Sequence, residues 1–210
     1  MVFHDRVEAG RKLAALMGGM RTADAVVLGL PRGGVPVAYE VAHALDLPLD
    51  VVIVRKLGVP WHEELAMGAI GDGARVVDDE TVRSLGVSAD QLDAVERREQ
   101  IELAERARRF RIDRGPLDVR GKLAIVVDDG VATGATARAA CHVVRAAGAA
   151  RIILAVPVAP PDWQPQPGVD ADELVCIERP SPFFAVGQWY EDFTQTTDEQ
   201  VVELLHHSPR

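Results

Sequence analysis

Five aliphatic residues, Leu123 to Val127, run directly into two adjacent carboxylates, Asp128 and Asp129, and then into a turn of small residues ending in Thr133-Gly134-Ala135-Thr136. No other stretch limits the fold as much. An unbroken β-branched and aliphatic run is a strand buried on both faces, as in the middle of a parallel sheet. Two acids cannot continue into a core, so the carboxyl end of this strand must lie at the sheet's rim. The residues after them are too small to fill a core and lead into a helix expected from about Thr136 to Ala147, closed by Gly148. In open α/β sheets, such a rim is where ligands bind. The backbone amides around Ala132–Thr136 open a helix and can cradle a phosphate with the helix dipole behind them. Thr133 and Thr136 add hydroxyl donors, and a carboxylate beside the phosphate can accept hydrogen bonds from a sugar diol.

The rest of the chain supplies matching parts. His4 to Gly18 reads as an amphipathic helix. Ala25–Leu30 is a short buried strand, followed by the turn Pro31-Arg32-Gly33-Gly34, a helix from about Val35 to Leu45, and a second strand from Leu49 to Val54. Strand, glycine turn, helix and strand in that order predict a right-handed parallel crossover. Lys56–Glu64, with Gly58, Pro60 and no periodicity, is expected to be a loop. Ala66–Ile70 and Ala74–Val77 are expected to pair as a hairpin around Gly71-Asp72-Gly73. Ser88 to Ile112 predicts one long helix, with Ser88 and Gln91 spaced as a capping box. Ile152–Val158 is another core strand. Pro160–Pro167 is an irregular connection, Leu174–Ile177 a weaker strand and Asp198–His206 a closing helix. The alternation predicts a single α/β domain over residues 1–210, with a mainly parallel twisted sheet flanked by helices. Three loops would leave its carboxyl ends: Leu30–Gly34, Arg55–Gly58 and Asp128–Thr136.

Composition removes several function classes. A net charge of −9 disfavours nucleic acid, whose binding rests on Lys and Arg neutralising phosphates. The arginines at 97, 98, 106, 108, 109 and 111 lie on the long expected helix, but glutamates are interleaved among them, so this face reads as solvated rather than RNA-binding. Replacing Arg97 and Arg98 together is therefore expected to leave ligand affinity unchanged. No apolar run approaches the roughly 18 residues that a membrane span needs. The amino end lacks a signal-peptide pattern. Cys141 and Cys176 have no metal-ligand spacing, and a cytoplasmic protein with reduced thiols is expected.

A strand ending in Asp-Asp also occurs in receiver domains, where the pair lies near the amino end; here several expected strands precede it. A P-loop is excluded because no Gly-Lys-Ser/Thr follows. Ile125-Val126-Val127 before Asp128-Asp129, then Thr133-Gly134-Ala135-Thr136, resembles the motif by which type I phosphoribosyltransferases bind 5-phosphoribosyl-1-pyrophosphate (PRPP). The resemblance implies that Asp128 and Asp129 hold the ribose 2′- and 3′-hydroxyls, and that Ala132, Thr133, Gly134, Ala135 and Thr136 hold the 5′-phosphate. Leu30–Gly34 resembles the family's pyrophosphate loop, which implies a cis peptide before Arg32 and pyrophosphate contacts from Arg32 and Gly33. Arg55 and Lys56 fall where the family often keeps a basic residue for the pyrophosphate. Lys56–Met67 falls where the family has a flexible closing loop. Phe183–Tyr190 resembles the hood that packs an aromatic acceptor, here with Phe184, Val186 and Trp189, although an aromatic core cluster explains the same residues.

The resemblance runs from about His4 to Trp189, and Glu64-Leu65-Ala66-Met67-Gly68-Ala69 resembles a stretch that recurs in a poorly characterised bacterial subgroup. It implies a type I phosphoribosyltransferase fold with a hood at about 178–193 and a helical insertion at about 79–115. It further implies displacement of pyrophosphate from PRPP by a nitrogenous, nucleobase-like acceptor. Arg32, Asp128 and Asp129 would serve catalysis. Mg²⁺ would be the cofactor, bound through PRPP and water with Asp128 and Asp129 as candidate ligands, and the assembly a homodimer. Two departures stand out. Ala132 occupies a position where purine-salvage members usually carry aspartate, which argues against a hypoxanthine or guanine enzyme of the usual kind. Ala135 replaces the common Gly or Lys. A non-catalytic PRPP sensor of the same fold is the alternative.

Overall fold

A computed structural model describes residues 2–20, 24–112 and 115–208. The segment that opens the sequence argument lies at the centre. Strand β6 (Leu123–Val127) sits third in a five-stranded sheet of order β2-β1-β6-β7-β8, and every pairing in it is parallel. Its neighbours are β1 (Ala25–Gly29) and β7 (Arg151–Val158), with β2 (Leu49–Val51) and β8 (Glu173–Glu178) at the edges. All five residues of β1 and seven of eight in β7 are buried, as expected for strands covered on both faces.

Helices cover both faces. On one, α1 (Arg6–Leu16), α2 (Gly34–Leu45) and α6 (Asp198–His206) enclose a core that includes Leu13, Val41, Ile125 and Leu205. On the other, α5 (Ala135–Ala146) packs Ala140, Cys141 and Val144 against Val126, Leu154 and Val156. The odd and even residues of β6 thus feed opposite cores, which is why its sequence shows no alternation.

A second, antiparallel sheet of order β3-β4-β5 corrects two expectations. Lys56–Glu64 is not a loop: β3 (Val54–Val59) and β4 (His62–Gly71) form the arms of a ribbon turning at Pro60-Trp61. The strand expected over Leu49–Val54 ends at Val51, and Val54 already belongs to β3. The ribbon lacks a period-two signal for physical reasons. β3 buries Leu57, Gly58 and Val59 consecutively, His62 to Ala66 are all exposed, and register shifts interrupt the pairing on either side of Gly58. The hairpin around Gly71-Asp72-Gly73 forms as expected, pairing β4 with β5 (Ala74–Val77).

A short helix, α3 (Asp79–Ser84), precedes the long helix α4 (Ala89–Phe110). Ser88 and Gln91 make both halves of the capping box. Helix α4 packs on the ribbon through Val95 and Leu92 and reaches the main core through Phe110. Residues 113 and 114, near the end of the expected insertion, lie outside the described residues. Among the described residues, no helix is long and apolar enough to cross a membrane.

Candidate active site

Sheet register builds the site. Gly29 at the end of β1 pairs with Val127 at the end of β6, and the Leu30 amide donates to the Val127 carbonyl at 2.8 Å. The turn Pro31–Gly34 and the pair Asp128-Asp129 therefore leave the sheet side by side. The Pro31–Arg32 peptide is cis, at the expected position. The two segments touch so closely that a side chain at Gly33 is excluded: a Cβ there would fall 2.0 Å from Asp129 Oδ2.

The two acids have different surroundings. Asp129 is clamped by Arg6 of α1, whose Nε and a terminal nitrogen each lie 2.9 Å from Oδ2. Arg6 is itself stacked over the Phe193 ring at 4.0 Å and donates to the Thr194 carbonyl at 2.7 Å. Tyr190 donates its hydroxyl proton to the Asp129 carbonyl at 2.6 Å. Among the described residues no cation is paired with Asp128; its Oδ1 accepts from the Asp129 amide at 2.9 Å. Burial and the adjacent Asp129 charge raise the Asp128 carboxyl well above the ordinary range. Burial also raises Asp129, with Arg6 pulling against it.

Beyond the acids, Gly130 to Ala137 line a small cavity of about 180 Å³ at the amino end of α5. Ala132, Thr133, Ala135 and Thr136 are exposed, the N-cap Gly134 has no side chain to cap the helix, and the Ala135 amide makes only a long hydrogen bond, 3.4 Å, to the Thr133 hydroxyl. Gly134 has φ +81°, a left-handed conformation that disfavours any residue with a Cβ. Ala135 already lies in the helix, so alanine in place of Gly carries no backbone penalty there. Trp163 braces the loop from behind, donating its indole N–H to the Thr133 carbonyl at 3.2 Å and lying where a Cβ on Gly134 would be. Two small-residue turns, paired acids and a helix end now stand side by side at the carboxyl edge of a parallel sheet.

A profile of the phosphoribosyl transferase domain matches residues 6–192. The chain belongs to this family. A Mycobacterium tuberculosis protein, named provisionally as a phosphoribosyl transferase, is 54% identical over 210 residues, covering 100% of this chain and 47% of its own length. The chain thus spans about half the length of these curated relatives. An amidophosphoribosyltransferase of Mycobacterium bovis is 26% identical over 97% of this chain and 29% of its own. The crystal structure of TT1426 from Thermus thermophilus is 41% identical, with TM-score 0.90 over 100% of both chains. The fold is that of the type I phosphoribosyltransferases.

In this phosphoribosyl transferase domain, the other expected site residues divide into three groups. Arg32 reaches Asp198, in the first turn of α6, at 3.5 Å. Arg55 and Lys56 start β3 and line a separate cavity of about 370 Å³ that also borders Thr136. Arg55 is held by Glu99 of α4 at 2.8 Å, and Lys56 is exposed. Among the residues expected to form the hood, Val186 lines the cavity at the amino end of α5, Phe184 is 81% exposed, and Trp189 packs with Phe183 against the small core of Phe3 and Tyr190. The structure thus places Trp189 in a core cluster, with Val186 against the loop.

Sequence reasoning missed Arg6, Trp163 and Asp198. The Arg6–Asp129 pair spans 123 positions, and Trp163 lies in an irregular proline-rich connection, so neither carries a local signal. The expectation that the arginine face of α4 is wholly solvated also needs correction. Arg97 and Arg108 are exposed, but Arg98 and Arg106 border the cavity of Arg55 and Lys56, and Arg111 is buried in an ion cluster with Asp50 and Asp72.

Proposed function

We propose that this domain transfers the 5-phosphoribosyl group of PRPP to a nitrogenous, ring-shaped acceptor and releases pyrophosphate. The observation that carries the reading is the juxtaposition of Pro31–Gly34, Asp128-Asp129 and the amino end of α5 along one sheet edge. The bond from C1 to the pyrophosphate oxygen breaks, and a bond from C1 to the acceptor nitrogen forms. The transition state resembles an oxocarbenium ion, so positioning and charge stabilisation supply the catalysis.

Each part has a role. Thr133, Thr136 and the amides of Ala132–Thr136 hold the 5′-phosphate at the positive end of the helix dipole. Asp128 accepts a ribose hydroxyl. Asp129, fixed by Arg6, presents its remaining oxygen to the neighbouring hydroxyl. Arg32, Gly33, Arg55 and Lys56 take the pyrophosphate and the charge that develops on it. The β3–β4 ribbon stands where a cover over PRPP is needed; its exposed tip carries Trp61 and Leu65, suited to excluding water. Val186 and Phe184 flank the acceptor side.

Mg²⁺ suits the donor set, since two carboxylates are all that an ion keeping most of its waters requires. Asp128 and Asp129 would hold it together with PRPP, and the bound ion would neutralise charge on the leaving group. A homodimer follows family habit.

The test is pyrophosphate release from PRPP and Mg²⁺ across a panel of nucleobases and other ring nitrogen acceptors. Acceptor-dependent release supports the transferase. Tight PRPP binding with no release for any acceptor points to a sensor of the same fold.

A further inference from the structure

Most arginines that α4 turns toward the ribbon and α6 have carboxylate partners. Arg98 holds Glu99 and Glu63, and Arg109 holds Asp198 at 2.8 Å. Arg106 differs. It is half-buried, and among the described residues no carboxylate lies within ion-pairing distance of it. Asp198 acts on it only from farther off, being already shared by Arg32 and Arg109. The strongest charged influences on Arg106 are two like charges, Arg55 and Arg32. Burial first, and then those guanidinium groups, pull its pKa below the usual arginine value. A half-buried guanidinium held beside two others is electrostatically unfavourable until an anion arrives.

The surroundings say what kind of anion. Arg106 lines the cavity of about 370 Å³ together with Arg55, Lys56 and Arg98, and the cavity extends to Thr136 of the phosphate loop. Glu63, Glu64 and Glu99 also border it. Glu99 is bound by Arg55 and Arg98, and Glu63 by Arg98, so these two carboxylates are occupied. Lys56 and Arg106 are left without carboxylate partners among the described residues, with Arg55 and Arg32 beside them, in a chain whose net charge is −9. Arginine's planar fork matches phosphate oxygens in pairs. Arg55, Lys56, Arg98 and Arg106 outnumber Glu63, Glu64 and Glu99 by one in the lining, and Arg32 stands close by, so the cavity favours an anion, and donors spread along it can reach more than one phosphate group, as in a diphosphate.

We infer that Arg106 is a ligand-binding residue for a diphosphate group, so that helix α4 closes the far side of the pyrophosphate site opposite the Pro31–Gly34 turn. The inference rests on the transferase reading for the identity of that diphosphate, the leaving group of PRPP. Arg106 contacts the substrate's terminal phosphates, not the ribose. Its contribution grows as the C1–O bond lengthens and negative charge collects on the departing pyrophosphate.

The test is calorimetric titration with three probes, each with Mg²⁺: inorganic pyrophosphate, PRPP and ribose 5-phosphate. The proteins are wild type, Arg106→Gln and Arg106→Lys. The expected result is a loss of at least about tenfold in pyrophosphate and PRPP affinity for Arg106→Gln, unchanged ribose 5-phosphate affinity, and partial recovery in Arg106→Lys. On the wild type, pyrophosphate is also expected to slow phenylglyoxal modification of Arg106, mapped by mass spectrometry; this reading needs no variant to fold. Equal losses for all three probes, unchanged pyrophosphate affinity, or no protection of Arg106 would overturn the inference. Wild type that binds pyrophosphate through Arg106 but does not bind PRPP would leave this site standing and overturn the transferase reading instead.

Discussion

Replacing Gly33 by alanine isolates the contact between the Pro31–Gly34 turn and the acidic pair. Gly33 has φ −62° and ψ −33°, which alanine adopts freely, so the backbone carries no penalty. A glycine-to-alanine change at a compatible position stabilises by about 0.4–1 kcal/mol through the unfolded chain. The added methyl, however, would sit 2.0 Å from Asp129 Oδ2 and 3.2 Å from Arg6 Nε. Asp129 must rotate away, and the clamp from Arg6 is lost. Both clamp contacts fall on one oxygen; counted as one charge-assisted interaction of about 1.5–3 kcal/mol, their loss less the unfolded-chain gain is a net loss of about 0.5–2.6 kcal/mol. For a domain of this size that lowers Tm by about 1–10 °C. PRPP affinity should fall at least tenfold, about 1.4 kcal/mol, because Asp129 leaves the ribose and the turn is crowded. Thermal denaturation and calorimetry read the two effects separately. Gly18→Ala is the control, since a Cβ there meets nothing within 4 Å. A Gly33→Ala protein with wild-type Tm and wild-type PRPP affinity would refute the proposition that the turn and the acid pair share one tightly packed wall.

Asp128→Ala is expected to weaken PRPP binding about 5- to 150-fold, the range of one charge-assisted hydrogen bond of ~1–3 kcal/mol; unchanged affinity by calorimetry would remove Asp128 from the ribose site. Arg111→Met is expected to cost about 3–5 kcal/mol, because Arg111 bridges buried Asp50 at 2.8 Å and also holds Asp72, and Asp50 would be left uncompensated. A melting temperature within about 2 °C of wild type, worth less than about 1 kcal/mol, would refute this. Cys141 is fully buried and its thiol is pushed up to about 12, so a thiol reagent at pH 8 should leave it untouched until the protein unfolds. Rapid modification of Cys141 in the native state, mapped by mass spectrometry, would contradict its placement in the core.

The parts legible in the sequence share a physical cause. Strands β1, β6 and β7 are buried on both faces, so each appears as an aliphatic run bounded by turn residues, and their boundaries hold within a residue or two. Helix α4 was legible at its start because a capping box is a local device of four residues. The β3–β4 ribbon was not, because a strand that is exposed along one half and bulged in the middle has no period to detect. The motif Asp128–Thr136 was legible because one strand, one turn and one helix end supply it without help from elsewhere. Arg6, Trp163 and Arg106 were not, since each acts on that motif or its neighbourhood from a distant element.

The same division explains how two adjacent acids can share one rim. Two neighbouring carboxylates, both largely withdrawn from water, repel each other and resist ionisation, and the rise in Asp128 reflects both effects. A cation on each acid would relieve the pair but leave fewer carboxylate oxygens for a ligand. Here α1 places a single guanidinium on Asp129, anchored in turn by the Phe193 ring and the Thr194 carbonyl. Asp129 becomes the fixed member, while the Asp128 carboxylate is tied by the backbone amide of Asp129. In the proposed reaction that asymmetry leaves Asp128 as the acid whose charge the ribose hydroxyls and Mg²⁺ have yet to satisfy. In that proposed reaction a chain that is acidic overall relies on a few well-placed arginines, Arg6 on the ribose side and Arg32, Arg55 and Arg106 on the pyrophosphate side, and net charge alone could not reveal them.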